Sequence, residues 1–279
     1  MVGKNVVDDT PISNNTFKFY HFSDIHGCLD TLNKVEELMS DADNTVDAAI
    51  LTGDMSDGFG TTTTTNARTI TAVKDLSSKL NGKLLIAYGN HDRYDMFGNN
   101  SSNSGTAASR AATSFLHEVL GDNVEWGDKD KNPIGSYWYR DYKVKDNATL
   151  RIIGIDSYAY INNHNAGRYK TAYSQDQVDW FIKCLKGSVE DGISALTEND
   201  YLLIAMHEPP VNYTTEENIN LVHSRGKYNW CSTKSITWAT SEYNGELFPI
   251  IVDAYLRKTS VNETVRNVAE GITTTMPSV

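Results

Sequence analysis

The stretch KLLIAYGNHD, residues 83–92, is an apolar run followed at once by a glycine and three polar residues. A short apolar run of this kind predicts a buried strand, here over residues 83–88. Asn90, His91 and Asp92 then fall at the carboxyl end of that strand, where open α/β sheets bind their ligands.

Two earlier stretches have the same form. Residues 18–22 predict a strand that leads into Ser23-Asp24-Ile25-His26-Gly27, and residues 46–51 predict a strand that ends in Thr52-Gly53-Asp54. A helical stripe over residues 29–39, with Asp30 as its cap, separates these two strands. A second helix is predicted over residues 66–80, after the Thr run at 61–65. This alternation predicts a parallel sheet with right-handed crossovers.

The second half of the chain predicts a second, more antiparallel sheet. Its strands are expected over residues 136–142, 150–156 and 201–206, and the last of them leads into His207. Helices are expected over residues 107–120 and 174–185, and over 246–258 with Pro249 in the first turn. Residues 208–243 are long and irregular, as functional surfaces and lids often are. The sequence shows no internal repeat and no linker, so we expect a single catalytic domain over residues 1–279.

Composition limits the function. The formal net charge of −11 argues against a strong sequence-independent grip on nucleic acid, which needs clustered Lys and Arg. A phosphorylated substrate remains compatible with this charge because bound metal ions invert the field of an acidic pocket. Cys28, Cys184 and Cys231 predict reduced, mostly buried thiols rather than a disulfide framework. No stretch has the form of a signal peptide or a membrane span, so we expect a protein made in the cytoplasm, with export or association with a virion left open.

The polar residues at the strand ends predict a metal site. Asp24 and His26 are two positions apart, so both side chains can point the same way. Asp54 follows Gly53, which lets the backbone turn sharply and leaves a carboxylate whose two oxygens could bridge two ions. Oxygen and imidazole ligands suit Mn, Fe or Zn better than a thiolate-seeking ion. Each motif is weak alone, and their ordered conjunction after apolar strands favours a site.

This series resembles the calcineurin-like metallophosphoesterase superfamily over residues 17–210. The resemblance rests on four motifs in the family's order: Asp24-x-His26, Gly53-Asp54-x-x-Asp57, Gly89-Asn90-His91-Asp92 and His207-x-Pro209-Pro210. It implies an α/β fold in which two mixed β-sheets pack as a sandwich flanked by helices, in four layers α/β/β/α.

The resemblance also implies two divalent metal ions, Mn, Fe or Zn. Asp24 and His26 would bind the first ion, Asp54 would bridge the two, and Asn90 and His207 would bind the second. The expected activity is hydrolysis of a phosphoester substrate, by attack of a metal-bridged hydroxide.

Two further roles follow from the same resemblance. His91 would bind no metal, and as general acid it would protonate the leaving oxygen. Asp92 would orient the ring of His91. Cleavage of a phosphodiester is favoured over that of a monoester because His26 fills the Asp-x-His position that resembles diesterase members.

One family feature is missing, since no Gly-His-x-His motif follows His207. Three explanations stay open. The first, which we favour, is that the chain is a C-terminally truncated version of a longer protein. The second is that His223 or His164 substitutes as a ligand, and the third is a degenerate site. A phage or cell-surface structural or binding module with an incomplete centre is therefore the alternative function. The segments after the third strand, with residues 247–258, resemble Gram-positive bacterial and phage-encoded members.

Overall fold

The computed structural model describes residues 7–8, 16–41, 46–56, 63–89, 91–92, 105–127, 136–145, 148–157, 172–173, 175–207, 229–230, 239–240, 251–252 and 255–256. The chain divides into two compact units. The first comprises residues 1–156 and 196–207, and the second comprises residues 157–195 and 208–279. A single domain over the whole chain stays a prediction.

The first unit contains a parallel sheet of three described strands in the order β2-β3-β4. These are β2 (Phe19–Phe22), β3 (Ala48–Thr52) and β4 (Leu84–Ala87). Every residue of β3 and β4 is buried, which is why both read as uninterrupted apolar runs. The three predicted strands and their parallel pairing are confirmed.

Three helices belong to the same unit: α1 (Leu29–Ser40), α2 (Thr63–Leu80) and α3 (Gly105–Leu120). The prediction that Asp30 caps α1 is wrong, because Cys28 is the N-cap residue and no side chain makes a capping hydrogen bond. Asp30 lies within the first turn, where its charge still favours the helix N-terminus. Helix α2 begins inside the Thr run, because the weak helix propensity of Thr is a small term that packing overrides.

A second sheet is built around a long hairpin, β6 (Trp138–Lys145) and β7 (Ala148–Gly154), which pair antiparallel. Strand β9 (Tyr201–Ala205) runs parallel to β7. On the other side β6 pairs with β1 (Val7–Asp8) and β5 (Glu125–Trp126). The three strands predicted here are confirmed with shifted ends, and the described sheet is mixed.

Trp138 joins the two sheets in one core. The Trp138 side chain is fully buried, and its Nε1 donates to the carbonyl oxygen of Ile86 on β4 at 2.8 Å. A Cβ atom on Gly154 of β7 would lie 2.2 Å from the Trp138 ring, so the indole fills the space that glycine leaves. The predicted α/β fold with two packed sheets and helices is confirmed.

The second unit holds α4 (Gln175–Lys186) and the short strands β8 (Ala172–Tyr173), β10 (Asn229–Trp230) and β11 (Ala239–Thr240). Most of the irregular segment 208–243 and of the predicted helix 246–258 lies outside the described residues. None of the described helices is both long and apolar enough to cross a bilayer. Among the described cysteines Cys184 is buried as expected, whereas Cys28 is exposed.

Candidate metal centre

The loops that follow β2 and β3 have an unusual backbone. Asp24, His26 and Asp54 have φ angles of 53°, 43° and 54°, in the left-handed region that residues other than glycine rarely adopt. Hydrogen bonds between the loops hold them there: the Asp24 amide donates to the Gly53 carbonyl at 3.0 Å, and the His26 amide donates to the Asp54 carbonyl at 3.0 Å. Strain of this kind persists when surrounding structure enforces it, and it concentrates at functional sites.

Three imidazole rings converge on one carboxylate oxygen, Oδ2 of the buried Asp54. Its distances to Nε2 of His207, His91 and His26 are 3.5, 3.8 and 3.9 Å. Asp24 joins the cluster through Oδ1, which lies 3.7 Å from Nε2 of His26. These rings and carboxylates come from three strand ends of the parallel sheet and from the end of β9. Four separate segments of the first unit thus present donor atoms to one small region.

The other ring nitrogen of two of these histidines is held by a backbone carbonyl. Nδ1 of His26 lies 3.0 Å from the Ser56 oxygen, and Nδ1 of His207 lies 2.8 Å from the Thr52 oxygen. A carbonyl oxygen only accepts, so each Nδ1 carries a proton, and in the neutral ring Nε2 then keeps its lone pair. This is the arrangement of a metal-binding histidine, and the residues therefore fit a divalent ion.

The donor atoms form two overlapping groups, each within 4.8 Å: His26, Asp54 and His91, and Asp24, Asp54 and His207. Asp54 is shared by both groups, as expected for a bridging carboxylate. The division differs from the one implied by the resemblance, which places Asp24 with His26 and leaves His91 outside the ligand set. Asn90, Asp57, His164 and His223 lie outside the described residues, so their predicted roles stay predictions.

Asp92 has a role that the sequence did not indicate. Its carboxylate is fully buried and accepts backbone N–H groups from both neighbouring loops. Oδ2 accepts from Asp54 and Gly89, each at 2.9 Å, and Oδ1 accepts from Met55 at 2.7 Å and Ser56 at 3.3 Å. Asp92 therefore clamps the loop after β3 to the loop after β4. No local pattern announces such a role, because its partners lie up to 38 residues away.

The electrostatic setting of Asp92 opposes ionisation. Burial, and secondly the charge of Asp54, raise the pKa of Asp92 to about 7. The amides of Gly89 and Met55 and the ring of His207 act against this rise because they stabilise the ionised form.

The sequence matches the calcineurin-like phosphoesterase family over residues 17–248, which is most of the chain. The chain belongs to this family. Metal-dependent hydrolysis of phosphoesters is accordingly its general class of activity, and the clustered histidines and carboxylates supply ligands of the type that a calcineurin-like phosphoesterase needs. A comparison with curated proteins gave no match.

Proposed function

We propose that this calcineurin-like phosphoesterase cleaves phosphodiesters, with two divalent ions held by Asp24, His26, Asp54, Asn90 and His207. The observation that carries the proposal is the convergence of three imidazole Nε2 atoms on Oδ2 of Asp54, at 3.5 to 3.9 Å. When bound, two such ions neutralise the phosphoryl oxygens and acidify an attacking water.

The protein's own residues prepare this site for metal ions in two ways. The carbonyls of Ser56 and Thr52 fix the tautomers of His26 and His207, so both Nε2 lone pairs face the centre. Asp54 is almost fully buried, and a charge that is shielded from water attracts a cation strongly.

His91 is also buried, and its Nε2 lies 3.8 Å from Oδ2 of Asp54. In our proposal Nε2 donates a proton to the departing alkoxide, which is a poor leaving group without it. The preference for diesters rests on the Asp-x-His form of the first motif.

A chromogenic assay tests the proposal. Protein loaded with Mn²⁺ is expected to hydrolyse bis-p-nitrophenyl phosphate faster than p-nitrophenyl phosphate. Asp54→Asn should lose both metal ions and activity, by more than about 100-fold, since even outer-shell partners of metal ligands cost up to that amount. Asp122→Asn, which changes an exposed carboxylate on the short 3₁₀ turn after α3, is the matched control and should leave both unchanged. Metal-loaded protein that hydrolyses no phosphoester would sink the enzymatic proposal.

A binding module of the same fold is the second candidate, and the observation that favours it is the lack of a Gly-His-x-His motif among the seven histidines of this sequence. Such a module would bind Mn²⁺ or a phosphate ester without turnover. Calorimetric titration with Mn²⁺ and with phosphate, beside the chromogenic assay, separates the two candidates.

A further inference from the structure

Helix α2 supports the loop that carries His26. A Cβ atom on Gly27, the next residue, would lie 3.5 Å from Thr65 Cγ2 and 3.6 Å from Thr69 Oγ1, both on the first turns of α2. The loop after β3 reaches the same face of the helix, because Ser56 Oγ donates to Asn66 Oδ1 at 3.0 Å. The loop after β3 is thus bonded to α2, and the loop that carries His26 lies beside the first turns of the same helix.

The hydrogen bond between Ser56 and Asn66 is buried. Ser56 is fully shielded from solvent and Asn66 is 8% exposed. A buried hydrogen bond of this kind is not weakened by competing water, and losing one partner costs the desolvation of the other. Ser56 is held a second time through its amide, which donates to Asp92. Its carbonyl oxygen is therefore fixed in place from both sides.

That carbonyl is the group that holds His26. The His26 side chain is 38% exposed, so packing alone does not fix the ring. The hydrogen bond from Nδ1 to the Ser56 oxygen then sets the tautomer and, together with the edge contact to the His91 ring, the direction of Nε2.

We infer that Asn66 is a positioning residue for the candidate metal centre, acting through Ser56 to hold His26 with its proton on Nδ1 and its Nε2 lone pair facing Asp54. The inference rests on the proposed function, since it assigns His26 a metal ion to bind. Because Asn66 acts through Ser56, its effect is expected on the metal affinity and on the tautomer of His26.

The helix is a rigid platform for this role. Val73 and Leu76 of α2 are buried in the core of the first unit. Ser77, three turns beyond Asn66, donates its hydroxyl to the Val119 carbonyl of α3 at 2.7 Å and is also buried. Ser77→Ala therefore removes a buried hydrogen bond of the same kind from the same helix, but far from His26.

The test compares Asn66→Ala and Ser56→Ala, which remove the two ends of the hydrogen bond, with Ser77→Ala as the matched control. In metal-free protein, the ¹⁵N spectrum of the His26 ring should show Nδ1 protonated in the wild type and in Ser77→Ala. Both test variants should show a mixture of the two neutral tautomers. The His26 signals are assigned by their loss in His26→Gln.

The second readout is the affinity for Mn²⁺, measured by calorimetry on the full chain. Asn66→Ala and Ser56→Ala should each weaken it by about tenfold, the lower end of the effect of an outer-shell partner. Ser77→Ala should stay within about twofold of the wild type, as expected for a site without a shared partner. Asn66→Asp, which keeps the acceptor oxygen, should restore the His26 tautomer.

The outcomes separate this inference from the proposed function. A wild type that binds no Mn²⁺ contradicts the proposed function, while the metal-free spectra still decide the role of Asn66. A His26 ring that keeps one tautomer in both test variants overturns the inference, as does an equal loss of affinity in Ser77→Ala. If Asn66→Ala does not fold, Ser56→Ala, which removes a single hydroxyl group, decides the question alone.

Discussion

Gly53 and Gly89 pack backbone against backbone where the loops after β3 and β4 meet. A Cβ atom on Gly53 would lie 2.3 Å from the Gly89 nitrogen, and one on Gly89 would lie 2.2 Å from Oδ1 of Asp54. Gly53 also has a φ of 92°, which only glycine adopts readily. The close approach of the two loops brings Asp54 and His91 together, since the His91 amide donates to Asp54 Oδ1 at 3.1 Å.

Gly53→Ala should therefore cost much more than an unfavourable φ alone. We expect it to lower the free energy of unfolding by about 3 kcal/mol, through backbone strain together with overlap with Gly89. The added methyl group would also lie 2.8 Å from Nδ1 of His207, so the affinity for Mn²⁺ should fall as well.

Gly121→Ala is the matched control for this change. Gly121 also has a positive φ, 54°, but no neighbouring atom of the described residues lies within 4 Å of its Cβ position. Its replacement should cost about 1–2 kcal/mol, the price of a left-handed residue with a side chain. Urea unfolding of the two variants measures the difference, and equal losses would show that the Gly53–Gly89 approach contributes nothing.

Asp92→Asn tests the clamp between the same two loops. An amide keeps one acceptor oxygen but turns an NH₂ group toward two backbone N–H donors that the carboxylate now satisfies. The variant should lose about 1–2 kcal/mol of stability. Leaving a buried donor unsatisfied costs about 1–3 kcal/mol each, and this is partly offset because the amide removes the buried charge whose cost raises the pKa of Asp92 to about 7.

The measurement is urea unfolding of metal-free protein, which isolates the clamp from ligand binding. His91→Gln is the control, since it alters the neighbouring ring and leaves the carboxylate in place. If Asp92→Asn has the stability of the wild type and loses only activity, Asp92 acts on His91, as the family resemblance implies, and not as a clamp.

Much of the fold of the first unit can be predicted from its sequence. Strands β3 and β4 are buried on both faces, so their apolar runs are unmistakable, and their parallel pairing follows from the helices between them. Because parallel strands end at the same edge of a sheet, the polar residues after each strand could be expected to meet. Asp54 and His91 do so.

The local geometry of the site could not be predicted in the same way. Asp24 and His26 do face each other, but not through the alternation of a strand, because both have left that conformation and have a positive φ. Their conformation depends on hydrogen bonds to Gly53 and Asp54, which belong to the loop after the next strand and not to their own loop. The clamp by Asp92 was missed for the same reason: non-local backbone partners leave no sequence pattern.

Asp200 makes the stability of the turn before β9 depend on pH, and β9 is the strand that leads to His207. Its Oδ1 accepts the amide of Thr149 on β7, and its Oδ2 accepts both the amide and the hydroxyl of Thr197, each at 2.7 Å. Burial raises the pKa of Asp200, but these hydrogen bonds lower it more, so the net shift is downward. The ionised carboxylate therefore stabilises the fold at neutral pH.

The direction in which the stability changes with pH follows from the pKa of Asp200 in the folded and unfolded chains. The carboxyl group has a lower pKa in the folded chain than in the unfolded chain, where it is about 3.9. The contribution of ionised Asp200 to the free energy of unfolding is complete above that value. It is lost as the pH falls through the pKa of the folded chain. Asp200→Asn should lower the stability at pH 7 by about 1 kcal/mol, and the difference from the wild type should shrink below about pH 4.

Urea unfolding at pH 7 and at pH 3.5 measures this difference. Glu198→Gln, which removes one negative charge from the same turn, is the control. If both variants show the same pH dependence, the effect belongs to net charge and not to the hydrogen bonds of Asp200.

Variants of His91 and His207 should distinguish loss of proton transfer from loss of metal binding. Both rings are buried, and their Nε2 atoms lie 3.8 and 3.5 Å from the same oxygen of Asp54, so distance alone does not tell them apart. If His91 is the general acid, His91→Gln should keep the metal content of the wild type and lower kcat by about 10²–10⁴-fold. The loss should be larger for a phenyl ester than for a p-nitrophenyl ester, because phenoxide depends more on protonation.

His207→Gln removes a ring whose Nδ1 is held by the Thr52 carbonyl and whose Nε2 lies 3.5 Å from Oδ2 of Asp54. It should lose metal, and its residual activity should recover when the Mn²⁺ concentration is raised. Metal analysis by mass spectrometry, together with rates on the two esters, distinguishes the variants. Equal loss of metal in His91→Gln and His207→Gln would make His91 a ligand of the centre, in agreement with its grouping with His26 and Asp54.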